Sequence, residues 1–209
     1  MAQTTFRRLA ASLTLLIPVA AGAAETQAVT PLQQAKLNAI LNGSYAFTAS
    51  RTCVQTFPYT PGFDPATKEL RSNGETVGFI ESGTLIFSGT GFVKGTDITV
   101  AVMEPAKAVA GSIPMQNGIK SSCTGTYTVN ADRSYTTNLA CTAQVGGGVS
   151  LTISPAVYRG SGDPFMNMLT ISETGGDIQT VGIAFEGYPT GQTFERICTS
   201  SGTLVRTGR

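Results

Sequence analysis

The sequence predicts an all-β protein: a single antiparallel up-and-down β-barrel of about eight or nine strands with a short N-terminal helix. Three observations predict it. After Gly43, short runs rich in Thr, Val, Ile, Tyr and Phe alternate with Gly, Asn, Asp, Ser and Pro at regular intervals, as in strands joined by tight turns. Around 123–141, apolar and polar residues alternate with period two, so one face of a hairpin is buried and the other wet. Cysteines stand in both the first and the last expected strand, where a covalent tie closes a sheet and removes its edges.

The elements follow in order. Residues 1–23 read as a secretory signal: Arg7 and Arg8, an apolar run over 9–19, then small residues with an A-x-A site at Ala21-Gly22-Ala23 and cleavage near Ala23/Ala24. The run is too short for a membrane anchor and Pro18 interrupts it. A bacterial protein, secreted or periplasmic, is expected, with no transmembrane segment after cleavage. Losing Arg7 and Arg8 leaves 12 basic residues against 13 acidic ones, and the net charge passes from +1 to −1. Residues 24–43 form a tail and the helix, and 44–209 the barrel domain. Thr30 is placed to cap the helix, with Pro31 at its first position and Gln33 completing a capping box. Leu32, Leu37, Ile40 and Leu41 are its expected apolar stripe, and Asn42-Gly43 its end. The expected strands are 44–56, 77–88, 91–103, 124–130, 134–143, 149–154, 166–174, 177–186 and 192–206. The proline-bearing stretches 58–73 and 104–122 are expected loops.

A turn at Ala131-Asp132-Arg133 sets Cys123 opposite Cys141, Gly125 opposite Leu139, Tyr127 opposite Thr137 and Val129 opposite Tyr135, all on one face. The other face is Thr, Asn and Ser apart from Ala140, which is not the continuous apolar surface of an outer-membrane barrel. Four cysteines allow three pairings. This register favours Cys123–Cys141 and leaves Cys53–Cys198, which sets Phe47 opposite Leu204 and Ala49 opposite Gly202. The gaps of 70, 18 and 57 positions do not suit a metal site, and an exported chain favours disulfides.

Composition excludes much chemistry. With no histidine there is no Ser-His-Asp triad, no Cys-His pair and no His-ligated zinc. There is no G-x-S-x-G elbow, phosphate loop or clustered calcium loop, and Gly89-Thr90-Gly91 reads as a turn. No cofactor and no metal are expected. A charge near zero offers no basic face to nucleic acid. Among carboxylates, Glu173 and Asp177 read as solvated ends of a hairpin around Thr174-Gly175-Gly176; Glu81, Glu186 and Glu195 are scattered candidates for a catalytic pair. Arg51 and Arg196 each precede a cysteine by two and share its strand face. They fit a barrel rim better than a ligand carboxylate inside. Tyr45, Phe47, Phe87, Tyr127 and Tyr135 are the candidate ligand-binding residues: they share inward faces, and tyrosine suits an amphipathic molecule.

The stretches Leu41-Asn42-Gly43-Ser44-Tyr45-Ala46-Phe47, Gly83-Thr84-Leu85-Ile86-Phe87-Ser88-Gly89-Thr90-Gly91, Gly125-Thr126-Tyr127-Thr128-Val129-Asn130-Ala131-Asp132 and Ser201-Gly202-Thr203-Leu204 resemble exported bacterial calycin-like barrels, near lipocalins and allene-oxide-cyclase-like proteins. The resemblance implies a barrel with a ligand cavity and no particular reaction; the Gly-x-Trp usual in lipocalins is absent, since the chain has no Trp. Three functions stay open. The favoured one is non-covalent binding of a small apolar or amphipathic ligand. The others are a His-free cyclase or isomerase and a structural or surface-attachment protein with a filled core. No catalytic residue is nominated, and the oligomeric state is not readable.

Overall fold

The computed structural model describes residues 29–102, 118–173, 175–187 and 191–208. The expected signal segment and its cleavage site, the tail through residue 28 and most of the expected 104–122 loop lie outside the described residues. Within them are a helix, α1 (Pro31–Ile40), and nine strands: β1 (Asn42–Thr56), β2 (Gly74–Ser88), β3 (Phe92–Val102), β4 (Ile119–Val129), β5 (Ser134–Gly146), β6 (Val149–Ser161), β7 (Met168–Glu173), β8 (Ile178–Phe185) and β9 (Gln192–Gly208). Each strand from β1 to β5 pairs antiparallel with the next, β6 pairs with β8, β8 with β9, and β9 returns to β1. The sheet is therefore closed, with no free edge along that circuit.

Nine strands make eight staves because β7 and β8 share one. Both pair antiparallel with β9, β7 along 200–205 and β8 along 192–197, so they run the same way, end to end. Glu173 lies opposite Ser200 and Ile178 opposite Ile197, a slip of two residues accommodated by a bulge. Gly175 and Gly176 adopt φ of 86° and 128°, a region closed to most side chains. The expected hairpin at this point is therefore corrected. Gly-Gly bends the chain outward and returns it to the same direction, and Glu173 is left pointing inward.

The expected registers are present. Cys123 faces Cys141, Tyr127 faces Thr137 and Val129 faces Tyr135. At the closure Cys53 faces Cys198, Phe47 faces Leu204 and Ala49 faces Gly202. Both disulfides, Cys53–Cys198 and Cys123–Cys141, are formed. Gly202 permits the close approach of β9 to β1, because a Cβ there would lie 2.3 Å from the Thr48 carbonyl oxygen.

Two strands outrun their expected limits furthest. β4 begins at Ile119 within the expected loop, because Ile119, Ser121 and Cys123 continue the inward alternation. β6 passes through Pro155 to Ser161. The β5–β6 ladder shifts register between the Leu139–Ala156 and Cys141–Ile153 pairs, so Pro155 sits in a bulge where its missing N–H breaks no bond.

The helix begins as expected, with Thr30 and Gln33 capping each other reciprocally. Its buried side is Leu37, Asn38 and the capping residue Leu41, whereas Leu32 and Ile40 are exposed. Asn38 is buried because it is bonded: its Oδ1 accepts from the Val129 N–H at 3.0 Å, and its carbonyl accepts from the Tyr127 hydroxyl. The helix thus closes one end of the barrel.

Candidate functional site

The interior is divided into three layers by which side chains point inward at each height. Beneath the helix lies an apolar plug in which Tyr45, Phe87 and Tyr127 stack edge to face, with ring centroids 5.3 and 5.0 Å apart. Tyr135, Leu85, Leu139, Leu169 and Leu204 fill the space around them. The phenols are satisfied: Tyr45 donates to the Met166 carbonyl, Tyr127 to Leu41 and Tyr135 to Thr170. Burial raises the pKa of all three, so they stay neutral at ordinary pH.

A charged layer crosses the barrel below the plug. Arg51, 2% exposed, comes from β1 and donates from Nε to Ser200 Oγ at 3.0 Å. It lies 3.8 Å from Glu81 of β2 and 3.9 Å from Glu173 of β7. Tyr158 of β6 donates its hydroxyl to Glu81 at 2.7 Å, and its ring lies 4.6 Å from the Arg51 guanidinium carbon. Ser200 donates to Glu173 at 3.0 Å. Burial works to lower the Arg51 pKa, but Glu81, Tyr158 and Glu173 together raise it. Burial pushes the Glu173 carboxyl up against the opposing pull of Arg51 and Ser200. The Tyr158 phenol is driven up by burial and by neighbouring Glu81.

Arg196 of β9 borders this layer and has a different environment. Its Nε donates to Gln179 Oε1 at 2.9 Å, and its guanidinium carbon lies 5.4 Å from the centre of the Phe79 ring. Among the described residues no carboxylate lies within ion-pair distance of it. Burial, then the nearby positive charge of Arg51, pull its pKa down to about 10, so it remains a cation at neutral pH.

Among the described residues, the third layer is an open cup at the end of the barrel opposite the helix. It holds about 250 Å³ and is walled by apolar side chains that include Val77, Phe79, Val100, Leu151, Ile183 and Phe194, with Arg196 as its charged member. Strand alternation places these residues: each lies an even number of positions from another inward residue on its own strand.

No protein-family model matches this chain, and no curated protein matches it. A solved structure, EF1p2_mFAP2b bound to DFHBI, is similar over 83% of this chain and 99% of its own, at 11% identity and a TM-score of 0.33. That likeness is too loose to carry an argument about ligand or reaction. The closed antiparallel barrel itself is consistent with a calycin-like fold.

All five aromatic candidates point inward, yet none lines the cup. Tyr45, Phe87, Tyr127 and Tyr135 belong to the plug, and Phe47 packs between it and Tyr158. Two expectations about charged residues are corrected. Arg51 and Arg196 are buried inside the barrel and not at its rim, because the register that aligns Cys53 with Cys198 turns both arginines inward. Glu173 is buried and not solvated, because the β7–β8 bulge keeps it facing Ser200; Asp177 stays at the surface side and pairs with Arg159. The cup-lining residues of β6 and β8 were visible as alternating Val, Leu and Ile in 149–153 and 181–185, but nothing in that pattern separates cavity wall from packed core.

Proposed function

We infer that this barrel binds a small apolar or amphipathic molecule non-covalently, in the cup and not among the plug aromatics. The observation that supports this reading is a preformed cavity of about 250 Å³ walled almost wholly by hydrophobic side chains and, among the described residues, open at one end. Two disulfides fit a protein working in an oxidising compartment, where such a scaffold meets ligands outside the cytoplasm. The buried Glu81, Tyr158 and Glu173 supply the internal carboxylates and phenol that an enzyme of this shape needs. They lie outside the cup lining, with both carboxylates beside Arg51 and the phenol bonded to Glu81, which favours binding over catalysis.

Titration with 1-octanol, followed by methyl resonances, tests the reading. Saturable shifts are expected at Val77, Val100, Leu151 and Ile183, with Leu85, Leu139 and Leu204 of the plug unmoved. Ala143→Phe, which projects a ring into the cup, abolishes the shifts. Shifts centred on the plug, or none that saturate, overturn it.

A further inference from the structure

We propose that the cup's ligand carries a single carboxylate head, seated on the Arg196 guanidinium, with its apolar body against the hydrophobic wall. This rests on the reading of the cup as a ligand site and specifies the chemistry of its occupant.

The argument starts from charge. Two cations and two carboxylates are buried in the charged layer, but they are not matched one to one. Glu81 and Glu173 both flank Arg51, at 3.8 and 3.9 Å, whereas among the described residues Arg196 has the neutral amide of Gln179 and the Phe79 ring and no carboxylate within ion-pair distance. A buried cation without an anion is costly, and cores rarely retain one unless something pairs with it. Burial and repulsion from Arg51 work against the charged form of Arg196 and outweigh the more distant pull of Glu81, Tyr158 and Glu173, and an anion arriving in the cup offsets that balance.

Geometry points the same way. Gln179 takes the Nε–H and so holds the guanidinium, while Nη1 and Nη2 make no hydrogen bond among the described residues and Arg196 lines the cup. Two parallel N–H groups are the fork that a carboxylate accepts from bidentately. The orienting residue is itself under-used: Gln179 is fully buried behind the cup wall, and among the described residues its Nε2 donor has no partner. The walls argue against a second charge on the ligand, since Val77, Phe79, Val100, Leu151 and Ile183 offer nothing to solvate one. The volume corresponds to roughly eight liquid-water volumes, which suits a medium-chain or single-ring acid and not a long lipid.

The test uses three probes with one tail, octanoate, 1-octanol and octylamine, titrated calorimetrically at neutral pH into the wild type and Arg196→Met. Octanoate is expected to bind the wild type at least about tenfold more tightly than octanol, and octylamine more weakly than either. Arg196→Met is expected to lower octanoate affinity about ten- to a hundredfold, and to narrow the octanoate-to-octanol affinity ratio by at least about fivefold. If Arg196→Met does not fold, Arg196→Lys decides: it keeps the charge and loses the fork, and octanoate must weaken severalfold more than octanol does. Equal affinity of the wild type for octanoate and octanol, or octanoate binding indifferent to position 196, overturns the carboxylate proposal and leaves the cup reading standing. Failure of octanoate and octanol alike overturns both.

Discussion

Arg51 and Arg196 are both buried on inward faces of adjacent strands, yet their surroundings assign them different work. Arg51 is held by Ser200, Glu81 and Glu173 and belongs to the scaffold; Arg196 is held by one amide and faces the cavity. The sequence placed each on its cysteine's face, so their shared direction was legible. Whether that face looked at a rim or an interior depended on the stagger between β1 and its neighbours on both sides. Glu173 gives the layer a pH dependence. Burial raises the folded-state pKa of Glu173 above its ordinary 4.5, so the folded protein holds this proton over a range where the unfolded chain has lost it. The stabilisation from Glu173 is therefore fully present below 4.5 and declines as pH rises through the raised folded value. Glu173→Gln, which cannot ionise, is expected to remove that decline. Urea midpoints measured at intervals upward from pH 4 check it: the advantage of wild type over Glu173→Gln shrinks with rising pH, and a constant or growing difference contradicts the assignment.

At the level of elements, α1 and the β7–β8 stave show opposite degrees of legibility. The helix start was readable because Thr30, Pro31 and Gln33 act on backbone groups within one turn. Its buried side was not, since Asn38 is drawn inward by the Val129 N–H, 91 positions away in sequence. The stave was misread because Thr174-Gly175-Gly176-Asp177 has turn chemistry, and Gly at positive φ serves a reversal and a bulge equally well. Only the pairing of both flanks with β9 separates the two. Asn38 carries the prediction at this scale. Asn38→Ala leaves the Val129 N–H buried without its acceptor and is expected to cost about 1–3 kcal/mol. Chemical denaturation measures the loss, and amide exchange at Val129 should accelerate ahead of amides at the cup end. Unchanged stability and exchange would mean that the helix does not secure this end of the barrel.

For the whole molecule, closure is the property that matters, and the two disulfides contribute to it unequally. Cys123–Cys141 spans 18 positions within one hairpin, whereas Cys53–Cys198 spans 145 and joins the first strand to the last. In the chain-entropy model they restrict the unfolded state by about 3 and about 5 kcal/mol. Replacing Cys53 and Cys198 together with Ala is therefore expected to lower stability by about 2 kcal/mol more than replacing Cys123 and Cys141 together. Urea denaturation of the two double variants, with m-values compared, decides it; an equal loss would show that native-state packing around the bridges outweighs loop closure. Cup binding should respond in the same order, because Cys53, Cys198 and Phe79 pack together beneath the cup.

The sequence by itself determined the strand alternation, the hairpin register and the helix cap, and it favoured one of three cysteine pairings, which the structure then formed. These depend on period-two patterning, turn residues and backbone groups a few positions apart, all of which lie within one stretch of chain or two aligned stretches. Tertiary structure alone decided that β7 and β8 share a stave, that Glu173 joins Arg51 inside, and that the barrel is filled beneath the helix and hollow at the other end. Cavity and core are built from the same Val, Leu, Ile and Phe. Which of them leaves space depends on the summed volumes of side chains arriving from all eight staves at one height, and no single strand contains that sum.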